Sequence, residues 1–186
     1  MLIKFLMQYI THPRTTGALM PSSKKLSNKM VENINFNNCN CIVELGPGTG
    51  VFTEEILKRK RGDTKVILIE YNENFYNILK ERYGYIKNVY IINDSAENID
   101  HYVNKYDINK IDYIVSGLPF ASLPKEMSET ILNKSKSILG NEGIFITFQY
   151  TKFKIALINN YFKNIKSKKE FLNIPPAYVF NCTNKF

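Results

Sequence analysis

Ile42-Val43-Glu44-Leu45-Gly46-Pro47-Gly48-Thr49-Gly50 is an apolar run that meets an acidic residue and then three glycines at alternate positions. The run reads as a strand and Val51 to Lys60 has helical spacing, so the glycines form a strand-to-helix bend. Glycine suits such a bend because the backbone turns sharply, adopts torsions closed to other residues and lets a ligand lie against bare main chain. The amides beyond it then sit at a helix N-terminus. The plainer reading is a tight turn with no ligand.

The spacing of the glycines and the strands beyond them favour the ligand. Dinucleotide folds read G-x-G-x-x-G and set a pyrophosphate on the helix N-terminus. Here the pattern is E-x-G-x-G-x-G. Glu44 would repel a pyrophosphate but accepts hydrogen bonds from a cationic amino group, such as that of S-adenosylmethionine. The pattern resembles the first motif of the class I methyltransferases, and two further strands fit it. Lys65 to Glu70 ends in a carboxylate, with Tyr71 beside it, where a Rossmann-like sheet holds ribose hydroxyls. Val89 to Asp94, with Ser95 and Ala96 after it, resembles the adenine-contacting turn.

Further along, strands and helices alternate: strands at 41–46, 65–70, 88–93, 111–116 and 143–150, and helices at 51–60, 73–83, 96–104, 124–139 and 152–161. Such alternation requires a parallel sheet with helices on both faces. Segments 164–172 and 177–182 are expected to close it as an antiparallel pair. The expected fold is therefore α/β and Rossmann-like, with a central, mostly parallel, seven-stranded sheet. Pro21-Ser22-Ser23 offers caps for a helix over 24–34. The 186 residues make one domain, with 39–186 binding the cofactor and 1–38 supplying helices and a loop that cover it.

Composition narrows the partners. Three cysteines without C-x-x-C spacing and two distant histidines indicate neither a disulfide framework nor a metal site, as in a cytoplasmic protein. Residues 1–38 hold five basic and one acidic residue, residues 150–186 seven and one, and residues 39–149 thirteen and fifteen. Basic ends on a mildly acidic body fit a polyanionic partner, either an anionic membrane surface or a nucleic acid. Lysines simply spread over solvated faces are the alternative. Met1 to Thr11 has amphipathic helical spacing but is too short to span a bilayer, so it either docks on the domain or lies in a membrane interface.

Strand four runs into Ser116-Gly117-Leu118-Pro119-Phe120. Adenine-N6 methyltransferases place Asn or Asp, then Pro and an aromatic, at this point; here Ser116 replaces the acid or amide. Together with Pro13-Arg14, Gly17-Ala18-Leu19-Met20-Pro21-Ser22-Ser23, Phe148-Gln149-Tyr150 and Asn173-Ile174-Pro175-Pro176-Ala177, this loop resembles the bacterial phospholipid N-methyltransferases along essentially the whole chain. Those enzymes methylate phosphatidylethanolamine toward phosphatidylcholine.

That resemblance implies a peripheral membrane enzyme using S-adenosylmethionine. Glu44, Gly46, Gly48 and Gly50 would hold the amino acid end of the cofactor, Glu70 and Tyr71 the ribose, and Asp94, Ser95 and Ala96 the adenine. Ser116, Pro119, Phe120 and Tyr150 would border the acceptor amine. Arg14, Met20, Ser22, Ser23 and Lys24 would meet the lipid. Two other readings remain open: an RNA adenine methyltransferase, and a protein that binds S-adenosylmethionine without turnover.

Overall fold

A computed structural model describes residues 24–150, 155–171 and 176–185. The 1–11 segment, Arg14, Met20, Ser22, Ser23 and the Asn173-Ile174-Pro175 stretch lie outside the described residues. Seven strands form one sheet in the order β3-β2-β1-β4-β5-β7-β6. They are β1 (Cys41–Leu45), β2 (Lys65–Glu70), β3 (Val89–Asn93), β4 (Tyr113–Ser116), β5 (Ile144–Gln149), β6 (Asn164–Glu170) and β7 (Ala177–Thr183). The first five pair in parallel, whereas β7 runs antiparallel to both β5 and β6. The strand order reverses between β1 and β4, the place where an open α/β sheet opens a crevice at its strands' carboxyl ends.

The helices are α1 (Lys24–Val31), α2 (Val51–Arg59), α3 (Glu73–Tyr83), α4 (Ile99–Lys105), α5 (Lys125–Leu139) and α6 (Ile155–Asn159). Two apolar clusters, one on each sheet face, hold the layers together. One gathers Leu26, Met30, Phe52, Ile56, Leu79 and Tyr83 over Ile42, Leu68 and Val115. The other gathers Ile99, Ile131, Leu132 and Phe162 over Val43, Ile114 and Phe145. Strands buried on both faces read as continuous apolar runs, which is why β1, β2 and β4 carry Val, Ile and Leu at successive positions.

Departures from the expected bounds have local causes. The helix expected over 96–104 splits, because the Ser95 hydroxyl accepts from Glu97 N at 3.2 Å and starts a 3₁₀ turn, Ala96–Asn98, ahead of α4. Strand four begins at Tyr113 rather than 111. Just before it, the Asp112 carboxylate accepts from the Asn40 and Cys41 amides at 2.7 and 3.1 Å and ties the entry of β4 to that of β1. Pro124 stands one position before α5, as its cap. Helix α1 ends at Val31, and a 3₁₀ turn, Phe36–Asn38, leads into β1. No described helix is long and apolar enough to cross a membrane.

Candidate active site

Gly46, Gly48 and Gly50 all have positive φ, at 65, 58 and 84°. A Cβ on Gly46 would stand 2.6 Å from Leu118 Cδ2, so the loop after β4 lies directly against the bend. A Cβ on Gly48 would meet nothing within 4 Å, which leaves bare main chain facing open space. Beneath it, Glu70 Oε2 accepts from Gly48 N and Oε1 from Asn72 N, both at 2.8 Å. The carboxylate thus braces the bend from the neighbouring strand. Burial pushes its pKa up, against the pull of these amides. Asn72 also caps α3, its side-chain oxygen accepting from Asn74 N and Phe75 N.

Glu44 is fully buried at the end of β1. Its Oε2 accepts from the Thr53 hydroxyl at 2.7 Å, and its Oε1 has no hydrogen-bond partner among the described residues. Desolvation pushes its pKa up to about 8 despite the Thr53 bond. A buried carboxyl with one idle oxygen is costly alone and is relieved by a cation.

Across β3, Asp94 is held on every side. Its Oδ1 accepts from Ser95 N at 2.7 Å, its Oδ2 from the Tyr102 hydroxyl at 2.7 Å, and Asn98 Nδ2 donates to both oxygens. Those bonds outweigh partial burial and hold the Asp94 pKa below the usual carboxylate range, while the same contact lifts Tyr102 to about 12. Tyr71 stands 54% exposed after β2, and Ala96 is buried.

On the other side of the crevice, Ser116 is buried at the end of β4, its hydroxyl accepting from Leu118 N at 3.3 Å. Gly117 N bonds to Leu45 O, and a Cβ there would lie 2.5 Å from Gly46 O, so this residue has no room for a side chain. Tyr150 stacks edge-on against Phe148 with centroids 5.5 Å apart. Next to Ser116, β5 contributes Thr147 and Gln149, both buried.

A family model for ribosomal RNA adenine dimethylase matches residues 20–158. The chain belongs to the ribosomal RNA adenine dimethylase family. It is an S-adenosylmethionine-dependent methyltransferase. Among curated relatives, an ornithine lipid N-methyltransferase from Singulisphaera acidiphila is 31% identical over 183 residues, covering 96% of this chain and 93% of that one. Ribosomal RNA small subunit methyltransferase A from Mycoplasma mycoides is 35% identical over 101 residues, 53% of this chain but only 36% of its own length. Among solved structures, an S-adenosylmethionine-dependent O-methyltransferase from Thermotoga maritima superposes with a TM-score of 0.65 at 14% identity, covering 95% and 71% of the two chains. An rRNA methylase from Streptococcus thermophilus gives 0.61 at 19%, covering 89% and 99%. These last two speak for the fold alone.

The crevice of this dimethylase-family chain fits the cofactor on its own geometry: the idle Glu44 oxygen suits an ammonium and the open space over Gly48 suits a backbone-hugging ligand. The structure gathers Glu44, Gly46, Gly48, Gly50 and Glu70 around one bend, with Asp94, Ser95 and Ala96 at the end of β3. Lys24 is exposed at the start of α1. Phe120, expected to border the acceptor, is 2% exposed, and its ring lies 6.1 Å from that of Phe145. The turn made by Ser122 and Leu123 amides on Pro119 O accompanies that inward setting. The sequence alone singles out none of Thr53, Asn72, Tyr102 and Thr147 as functional, nor Gln149 beyond its place in Phe148-Gln149-Tyr150. A signal for the last two was present, since a strand with polar residues at alternate positions toward its carboxyl end presents them on one face.

Proposed function

We propose that this methyltransferase acts at an anionic membrane surface on the amine of a lipid, phosphatidylethanolamine or its partly methylated derivatives. The observation that carries the reading is the extent of similarity to the ornithine lipid enzyme. It runs through nearly the whole of both chains, whereas similarity to the ribosomal enzyme covers about half of this chain.

In this reading Glu44 takes the amino group of the cofactor, Gly46, Gly48 and Gly50 its amino acid end, Glu70 with Tyr71 the ribose, and Asp94, Ser95 and Ala96 the adenine. Glu70 keeps lone pairs for two hydroxyls beyond the amides it already accepts. S-adenosylmethionine supplies an electrophilic methyl group on a positively charged sulfur. The chain's own work is to align a neutral amine and exclude water. Ser116 Oγ retains a lone pair for one amine N–H, which directs the nitrogen lone pair away from the hydroxyl. Pro119 walls the same corner. The Tyr150 ring offers a face for an alkylammonium product. Arg14, Met20, Ser22, Ser23 and Lys24 complete the lipid side. The β6 strand, Asn-Ile-Lys-Ser-Lys-Lys-Glu, is the sheet edge and carries three lysines, of which Lys168 pairs with Glu32.

Methylation of adenine in RNA is the second reading, favoured by the match of the dimethylase model to residues 20–158. Vesicle flotation separates the two. The protein is expected to float with vesicles of phosphatidylglycerol and phosphatidylethanolamine at moderate salt and to bind structured RNA weakly. Tight RNA binding without flotation would favour the second reading.

A further inference from the structure

The carboxyl end of β5 carries two polar side chains that the fold buries and leaves without a bond. Thr147 is 0% exposed and Gln149 6%, and neither Thr147 Oγ1 nor Gln149 Nε2 has a hydrogen-bond partner among the described residues. Buried polar groups are ordinarily paired, so two exceptions on one strand leave hydrogen-bond donors that no described residue uses. Parallel pairing sets Thr147 beside Ser116. Period-two alternation puts Gln149 on the same sheet face, one step nearer the crevice. The row continues across the sheet through Tyr178 to Lys169. Both orphaned groups therefore lie on the acceptor side, next to the residue proposed to orient the amine.

We propose that Gln149 and Thr147 bind the acceptor itself, recognising a hydrogen-bond-accepting oxygen a few bonds from the amine that is methylated. The chemistry is set by the groups themselves. An amide Nε2 only donates, so its complement is an oxygen, and the Thr147 hydroxyl can donate to the same group or bridge it to Ser116. A strand spacing of about 4.8 Å and a two-residue advance of about 6.6 Å separate the backbone positions of Ser116 and Gln149 by about 8 Å. Side chains converging from that separation suit a headgroup in which two carbons divide the amine from a phosphate ester, or one in which three methylenes divide it from a carbon that bears a carbonyl group. This inference rests on the lipid reading and adds to it the means by which the site tells a zwitterionic headgroup from a bare alkylamine.

The test uses the full chain with Gln149→Leu and Thr147→Val, each removing the orphaned group at nearly constant size. KM is measured for phosphatidylethanolamine, for ornithine lipid and for octadecylamine, all in the same mixed micelles. S-adenosylhomocysteine affinity by calorimetry and Tm are measured alongside. The expected result is a KM at least tenfold higher for Gln149→Leu, and about threefold higher for Thr147→Val, on whichever lipid the wild type uses. Phosphate and carbonyl are told apart by which lipid responds. Octadecylamine KM and S-adenosylhomocysteine affinity stay unchanged, and Tm holds or rises, because no intramolecular bond is lost. Wild-type lipid KM in Gln149→Leu, or a shared fall in Tm and cofactor affinity, overturns the inference and leaves the lipid reading standing. A wild type that methylates neither lipid overturns both.

Discussion

The two halves of the sheet are finished to different degrees. On the β3-β2-β1 side the polar groups at the strand ends are carboxylates, and the chain already satisfies most of them: Glu70 holds two backbone amides, and Asp94 takes bonds from Ser95, Asn98 and Tyr102. On the β4-β5 side they are uncharged, and Thr147 and Gln149 are left open. In the proposed reading the first is the donor half, which takes the cofactor, and the second is the acceptor half, which its substrate completes. Leaving a buried polar group unpaired costs about 1–3 kcal/mol, a cost tolerated where ligand binding repairs it.

If that contrast is right, damage to the bracing carboxylate should be the most severe. Glu70→Ala removes the proposed ribose acceptor together with the Gly48 and Asn72 contacts, so S-adenosylhomocysteine affinity is expected to fall about 100-fold by calorimetry. Unchanged affinity would detach Glu70 from the cofactor. Gly48→Ala comes next. Its φ of 58° costs about 1–2 kcal/mol of stability, while the new methyl group points into the open space over the bend and should reduce affinity by at least about tenfold. A variant that loses stability but binds normally would mean that the open space is not the cofactor site.

Glu44 gives a pH signature of the donor half. With its pKa pushed up to about 8, the folded state holds more protons than the unfolded state between about pH 4.5 and 8. Its contribution to stability therefore declines as pH rises through that window and levels off above it. Tm measured against pH should show this decline, and Glu44→Gln should flatten it. An ammonium at the idle oxygen favours the ionised form, so cofactor-product binding releases a proton and tightens by up to about tenfold per pH unit below pH 8. Calorimetry in buffers of different ionisation enthalpy reads that proton; its absence would separate Glu44 from the amino group. The smallest effect belongs to Tyr102→Phe, which takes one of several bonds from Asp94 and should weaken S-adenosylhomocysteine about threefold. No change, or a loss as large as that of Glu70→Ala, would mean that Asp94 is held differently.

The same contrast explains which parts of the molecule were legible in the sequence. The donor half depends on local chemistry: glycines where φ is positive and an acid at the end of each apolar strand. The observed bounds of β2 and α3 accordingly coincide with the expected ones. The acceptor half depends on which strand lies beside which. Nothing local to Phe148-Gln149-Tyr150 says that Thr147 sits next to Ser116, because that neighbourhood is created by a crossover through α5. The contact of the Phe120 ring with Phe145 is likewise a property of the packed core, because it joins the loop after β4 to β5.

The most direct measurement is methyl transfer from radiolabelled S-adenosylmethionine to phosphatidylethanolamine in mixed micelles and, in parallel, to small-subunit ribosomal RNA lacking adenine dimethylation. Label in the lipid, with none in the RNA, is the predicted result. Label in RNA adenine and none in the lipid would contradict the account.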